Sequence, residues 1–314
     1  MSQGSEWAPP TGRESPSGAA PGGAPLPSAA PVPEWGADYK PGVIPLRPLG
    51  LGEILDGAFT TVRQNPVATL GMSAAVVAVA QILDVVLVLI ARHSSVALVS
   101  VAIANYLVRQ VVGLALSAGL VTVVAEAVLG RRLDIDAAWN RVRPRLGTVI
   151  GTALLTLVIV TGLTITLIGI PFAIYLFVGY SLSQPAVILE GHGVRAAMRR
   201  SRDLVRSAWW RTFGILALAA LITGVIAGVL GAVLSLIGLA GGQGLVGFRG
   251  NTGLGTSHLL VFAVGGVISG ALVAPISAGV VALLYIDRRI RTEGLDIALA
   301  EAARRGQPGA GGLG

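Results

Sequence analysis

The sequence predicts an all-α polytopic integral membrane protein, and three observations carry that prediction. First, 53% of the 314 residues are hydrophobic and only 12% are charged, against about 25% charged in an ordinary soluble domain. Second, the apolar residues gather in runs long enough to cross a hydrocarbon layer of about 30 Å. Third, the runs are separated by short arginine-rich segments with amphipathic helical spacing, the pattern of helices lying at a membrane interface. About six transmembrane helices are expected, with cytoplasmic interfacial helices between them and a disordered N-terminal tail.

The charge balance fits this class. The chain carries a net +7, with Lys40 its single lysine. A basic protein can be a nucleic-acid binder, but here the arginines sit between apolar runs, which argues against nucleic acid. There is no cysteine, so disulfides, thiolate metal sites and cysteine nucleophiles are excluded.

Residues 1–45 are rich in Pro, Gly, Ala and Ser, lack periodicity and are expected to be disordered. No apolar run follows Met1, so the first span itself must act as the membrane signal. The membrane domain is expected over 46–290, and a cytoplasmic tail over 291–314. Leu46 to Asn65 reads as an interfacial helix whose stripe is Leu51, Ile54, Leu55, Ala58, Phe59 and Val62. Span one covers 66–91, with Pro66 in its first turn. Span two covers 96–129, more than the bilayer requires; it is tilted, broken near Asn105 to Arg109, or projects beyond the membrane. Gly130 to Arg145 forms a second basic unit. Span three covers 147–168, a tight hairpin follows, and span four covers 171–190 with a kink expected at Pro185.

Ala186 to Gly214 organises the rest: it closes one apolar span, crosses a basic helix and opens another. Val194, Ala197, Met198, Leu204, Val205, Ala208 and Trp209 have helical spacing, with Ser201 inside the stripe. Arg195, Arg199, Arg202 and Arg206 share another face, and Arg200 sits beside that row. Each arginine near an anionic leaflet contributes about 1 kcal/mol. Trp209 and Trp210 suit headgroup depth. This row is the candidate lipid- or anion-binding site. Span five covers 212–239, a Gly-rich loop 241–257, and span six 259–285 with a kink expected at Pro275.

Basic residues alternate in number from one side to the other. One side holds Arg13, Lys40, Arg47 and Arg63, then five arginines in 131–145, six in 195–211 and five in 288–305. The opposite loops hold only Arg92 and Arg249. The positive-inside rule then places both termini in the cytoplasm, and the expected location is a bacterial plasma membrane.

A short repeat runs through the basic units. Ala58-Phe59-x-x-Val62-Arg63 matches Ala138-Trp139-x-x-Val142-Arg143 and Ala197-Met198-x-x-Ser201-Arg202, each ahead of a span. The plan is an amphipathic helix plus a transmembrane hairpin, three times.

The run Leu189-Glu190-Gly191, Gly193-Val194, Arg200-Ser201, Leu204-Val205-Arg206 and Trp209-Trp210-Arg211 resembles the glycerophosphoryl diester phosphodiesterase membrane-domain family. Arg47-Pro48-Leu49-x-Leu51-Gly52-Glu53-Ile54-Leu55-Asp56 is similar to the opening of related multipass proteins of high-GC bacteria. The closing Tyr285-Ile286-Asp287-x-x-Ile290-Arg291-x-Glu293-Gly294-Leu295-Asp296 is similar too. The resemblance covers about 46–300 and implies a helical membrane module, in other members sometimes attached to a phosphodiesterase barrel. No such barrel lies in these 314 residues, so the resemblance does not carry the activity over.

Phosphodiester hydrolysis needs a His acid or base, carboxylates and usually a metal. His93, His192 and His258 have no carboxylate at metal-ligand spacing. Neither a phosphate-cradling loop nor a nucleophile constellation is present, and no cofactor is expected. Gly147-x-x-x-Gly151, Gly224-x-x-x-Gly228 and Gly266-x-x-x-Gly270 fit close helix packing, the last two predicting contact between spans five and six.

The sharpest intramembrane feature is polar: Asp84 with Gln81 on span one, and Asn105, Arg109 and Gln110 on span two. A charge at the bilayer centre costs about 2.5–3.5 kcal/mol on insertion scales. Counted from the outer turn, Asp84, Asn105 and Arg109 lie about 10, 14 and 20 Å deep, so an Asp84–Asn105–Arg109 network facing the bundle interior is expected. The leading functional expectation is a non-enzymatic module. It would bind anionic lipid, an unidentified membrane protein partner, or acidic groups of its own tail such as Asp287 and Glu293. The alternatives are a small-solute or lipid transporter using the polar cluster, and an accessory subunit of a phosphodiesterase.

Overall fold

In lipid the backbone must satisfy its own hydrogen bonds, which leaves a long apolar run the α-helix; the described residues are helical and contain no strand. The structure is a computed structural model that describes residues 43–45, 47–91, 94–131, 133–240 and 256–294, all within one unit, Ala37–Gly314. The tail preceding Val43, His93, the loop over 241–255 and the tail beyond Gly294 lie outside the described residues, as do Arg92, Arg249 and the side chain of His258.

Ten α-helices are described: α1 Leu51–Gln64, α2 Met72–Ala91, α3 Ser95–Val128, α4 Ile135–Val142, α5 Leu146–Thr164, α6 Gly169–Tyr180, α7 Ser183–Glu190, α8 Val194–Arg206, α9 Trp209–Ala240 and α10 Thr256–Glu293. Among the described residues six stretches are long and apolar enough to cross a membrane: Val67–Ala91, Val99–Val128, Ile135–Thr164, Gly169–Glu190, Trp209–Leu234 and Leu259–Glu293. The chain is therefore an all-α polytopic membrane fold with six candidate spans.

The buried core is gathered at one end. There the ends of α3, α7 and α10 meet α1, α8 and the starts of α5 and α9, and Leu120, Val121, Leu182, Ile188, Ile215 and Tyr285 are inaccessible. Toward the other end the helices turn Val79, Ile82, Val158, Ile165, Leu221 and Val229 outward. A soluble monomer rarely exposes that much contiguous apolar surface; hydrocarbon accepts it.

Several elements differ from the sequence expectation. Val43 and Ile44 are buried, and Val43 N–H donates to the Ala127 carbonyl at 3.2 Å, so the packed domain begins before residue 46. The first amphipathic helix starts at Leu51 rather than Leu46. It does not stand alone: Gly57 brings α1 against Ile44 and Leu283 of α10. Span two is one helix of 34 residues, about 51 Å, so a break near Asn105 is excluded; its last turns, around Leu120 to Val128, enter the core.

Span four breaks at Ser181–Leu182, not at Pro185. Pro185 is the third residue of α7, and the amides of a first turn have no helical acceptor anyway. Pro275 lies inside an unbroken α10, which runs on to Glu293; Asp287 and Glu293 therefore belong to a helix rather than a tail. Gly266 and Gly270 face Gln81 and Val77 of α2, while Gly224 and Gly228 meet nothing within 4 Å. Spans five and six do pack against each other, as expected, with Leu234 of α9 over Gly265 rather than glycine against glycine.

Candidate functional site

The densest polar constellation lies in the core end and is built from the motifs at both ends of the described chain. Asp287 is fully buried, with Arg211 and Arg291 as its ion partners. Its Oδ1 also accepts the Leu49 N–H at 2.8 Å. The Leu49 carbonyl in turn accepts from Arg211 at 2.7 Å and Arg291 at 2.8 Å. One backbone residue of the opening motif is thus clasped by two elements from far along the chain. Arg288 continues the network, donating to the Leu204 carbonyl at 2.9 Å and Ser207 at 2.6 Å.

A second cluster adjoins it. Glu190 accepts a two-pronged bond from Arg200, both contacts 2.9 Å, and a further bond from the Tyr285 hydroxyl. Arg289 lies 3.2 Å away. Arg200 also pairs with Glu293. The hydrogen bond to Glu190, acting against burial, holds the Arg200 guanidinium above its ordinary pKa. Gly191 ends α7 in the left-handed conformation (φ 74°), and Arg145 donates to the Ile188 carbonyl in that last turn. Every carboxylate in these clusters has at least two arginine partners, and the shared bonds hold distant elements together.

The helix α8 divides its arginines between two duties. Ala197, Met198, Ser201, Leu204 and Val205 are buried, the stripe expected from spacing. Arg195, Arg199, Arg202 and Arg206 are all exposed, and none has a carboxylate partner among the described residues. The acidic groups Asp287 and Glu293 are taken by Arg211, Arg291, Arg200 and Arg289, not by this row. A groove of about 260 Å³ lies along the row, lined by Arg199, Arg202, Arg206, Asp203, Tyr175 and Trp209, among others. Trp209 stacks on Tyr175 at 5.6 Å and on Phe213 at 5.3 Å. Arg195 stands outside the groove. The Arg202 guanidinium lies 5.8 Å from the Tyr180 ring centre.

Ser201 has a role that amphipathic spacing does not reveal. Its hydroxyl donates to the Gly179 carbonyl at 2.7 Å and accepts the Leu182 N–H at 3.1 Å. The break in span four would otherwise bury those two groups unpaired. The signal lay in the repeat: a serine stands where the other copies have Val62 and Val142. In all three copies the alanine, Ala58, Ala138 or Ala197, is fully buried, and Arg63, Arg143 and Arg202 are exposed.

Asp84, Asn105 and Arg109 do come together. Asn105 and Arg109 both donate to Asp84, and Arg109 donates to Gln81 at 2.6 Å. Gln81 and Asn105 are buried, whereas the Arg109 side chain is 47% exposed. Gln81 is held beneath Gly266, where a Cβ would fall 1.5 Å from its amide nitrogen. Glu126, near the end of α3, pairs with Arg131 and Arg141. Among the described residues no three His, Asp or Glu side chains gather to hold a metal.

The fold and these clusters define the class: a helical multipass membrane protein with a charge-clasped core at one end and an uncompensated basic face beside it. No family model, curated protein or solved structure matches the chain.

Proposed function

We propose that the protein is a non-enzymatic membrane module of a bacterial plasma membrane, with its basic end and both termini cytoplasmic, and that α8 binds the phosphate of an anionic lipid headgroup. The observation that carries this reading is the groove in which Arg199, Arg202 and Arg206 converge beside Tyr175 and Trp209 without carboxylates enough to neutralise them. Only Asp203 opposes the three positive charges there. Guanidinium is suited to phosphate because its fork of donors matches the oxygens, and tryptophan prefers headgroup depth. The resemblance to the glycerophosphoryl diester phosphodiesterase membrane-domain family fits such a lipid-facing role and requires no hydrolytic site. Transport through Asp84 is the weaker reading, because that carboxylate is already matched by Arg109 and Asn105.

Native mass spectrometry in mild detergent with added phosphatidylglycerol tests the proposal. A lipid adduct on the full chain is expected, weakened at least tenfold when Arg199, Arg202 and Arg206 become Gln and reduced by salt. An adduct indifferent to those substitutions would sink it.

A further inference from the structure

A second cavity, of about 530 Å³, lies between α3, α5, α6, α7, α9 and α10. We infer that it is a binding site for one acyl chain and ester group of an uncharged glycerolipid, distinct from the headgroup groove on α8.

Its shape points to a chain. On α5 the lining runs from Ala153 to Thr164, and on α3 from Tyr106 to Ser117. Each stretch rises about 16 Å along its helix, half the hydrocarbon thickness of about 30 Å, which is the depth of one leaflet. The volume falls within the roughly 300–1,000 Å³ of ligand sites.

Its chemistry excludes a charged occupant. The lining contains no Asp, Glu, Lys or Arg, so a phosphate or ammonium would lie there without a counter-ion. Asp84, Asn105 and Arg109 are not among the lining residues. Most of the small hydroxyls are already used: Thr156 donates to the Thr152 carbonyl at 2.9 Å, Ser181 to Val178 at 2.8 Å and Ser183 to Tyr180 at 2.6 Å. Two lining amides are different. The side-chain amides of Gln110 on α3 and Gln184 on α7 make no hydrogen bond to another described residue. An amide N–H facing a largely apolar cavity offers a donor to a neutral acceptor such as an ester carbonyl. Gln184 is placed there by the break in span four, since α7 starts at Ser183.

The test uses the full chain in phosphatidylcholine nanodiscs with a diacylglycerol whose acyl chain carries a photoreactive diazirine. Crosslinked positions are read by peptide mass spectrometry. The inference expects adducts concentrated on Leu114, Leu157 and Val160, reduced at least tenfold by Ala153→Phe and several-fold by the paired Gln110→Leu, Gln184→Leu change. Val158→Phe, on the outward face of the same helix, should leave labelling unchanged. If Ala153→Phe fails to fold, Val160→Phe fills the same space from another position. Labelling spread evenly over outward residues such as Val158 and Ile165, and indifferent to the filling variants, overturns the inference. So does equal labelling by the matching phosphatidylglycerol probe, which would show no preference for an uncharged lipid. Loss of the α8 lipid adduct with this labelling intact would remove the headgroup proposal alone.

Discussion

Asp287 and Asp84 both sit on helices long enough to cross a membrane, and both meet arginine, yet their surroundings differ. Asp287 is inaccessible, shared by Arg211 and Arg291, and bonded to the Leu49 amide. The Asp84 side chain is 26% exposed and its arginine 47% exposed, with Asn105 and Gln81 completing the group. The first joins three distant parts of the chain; the second joins two neighbouring helices. An ion pair is therefore only as structural as the number of elements it must hold in register. In the first case removal of the buried carboxylate takes the shared counter-charge from two arginines that are only about a third exposed, and in the second the surviving charge keeps a neutral partner, Gln81 for Arg109 or Asn105 for Asp84.

The largest test of that difference is Asp287→Asn. It leaves Arg211 and Arg291 beside the Leu49 carbonyl with no counter-charge, and stability should fall by about 3–5 kcal/mol in reversible unfolding in detergent. A loss below about 1 kcal/mol would mean that the clasp is ornamental. Ser201→Val should follow closely. It strands the Leu182 N–H and Gly179 carbonyl, each worth about 1–3 kcal/mol when buried and unpaired. Hydrogen exchange at Leu182 should accelerate in this variant while α1 stays protected. Acceleration everywhere would show that the break and the clasp are not separable.

At the other region the effects should be smaller. Gly266→Ala forces the Gln81 amide aside and frees it from Arg109, and overpacking of this kind costs about 1–3 kcal/mol; the far end of a flexible side chain places it at the low end. A thermal scan against Gly224→Ala, which meets open space, isolates the contact. The smallest effect belongs to the cycle of Asp84→Asn with Arg109→Gln. Coupling of about 0.6 kcal/mol is expected, the mean for polar pairs between membrane helices. No coupling would mean that the two side chains only happen to be near one another.

Several of these contacts were legible from residue type and spacing. The Asp84–Asn105–Arg109 group follows from rise per residue on two antiparallel neighbours joined by a short turn. The two faces of α8 follow from three- and four-residue steps. The glycine stripe was less legible: spacing identifies Gly266 and Gly270 as a contact surface but does not name the helix it meets, and the partner proved to be α2. The residues of the clasp were visible as motifs but not as neighbours, because Leu49, Arg211 and Asp287 are separated by 162 and 238 positions from Leu49. Within α8 itself, Arg199 and Arg200 are adjacent and carry the same charge; a helix step of about 100° sends one toward the groove and the other to Glu190.

What the sequence alone determined is what a bilayer imposes locally: helices in the apolar runs, their number, the amphipathic helices between them and a basic end. Those properties depend on hydropathy and period, each read within a window of some twenty residues. Only the tertiary structure decided which arginines are spent. Glu190, Asp287 and Glu293 pair with Arg200, Arg211, Arg289 and Arg291, leaving Arg195, Arg199, Arg202 and Arg206 for the surface. The structure likewise decided that span four breaks at Ser181–Leu182 rather than at its proline, because a serine from α8 satisfies the opened backbone there. Charge pairing and backbone repair depend on which distant groups arrive within about 3 Å, and proximity in space is a property of the whole fold.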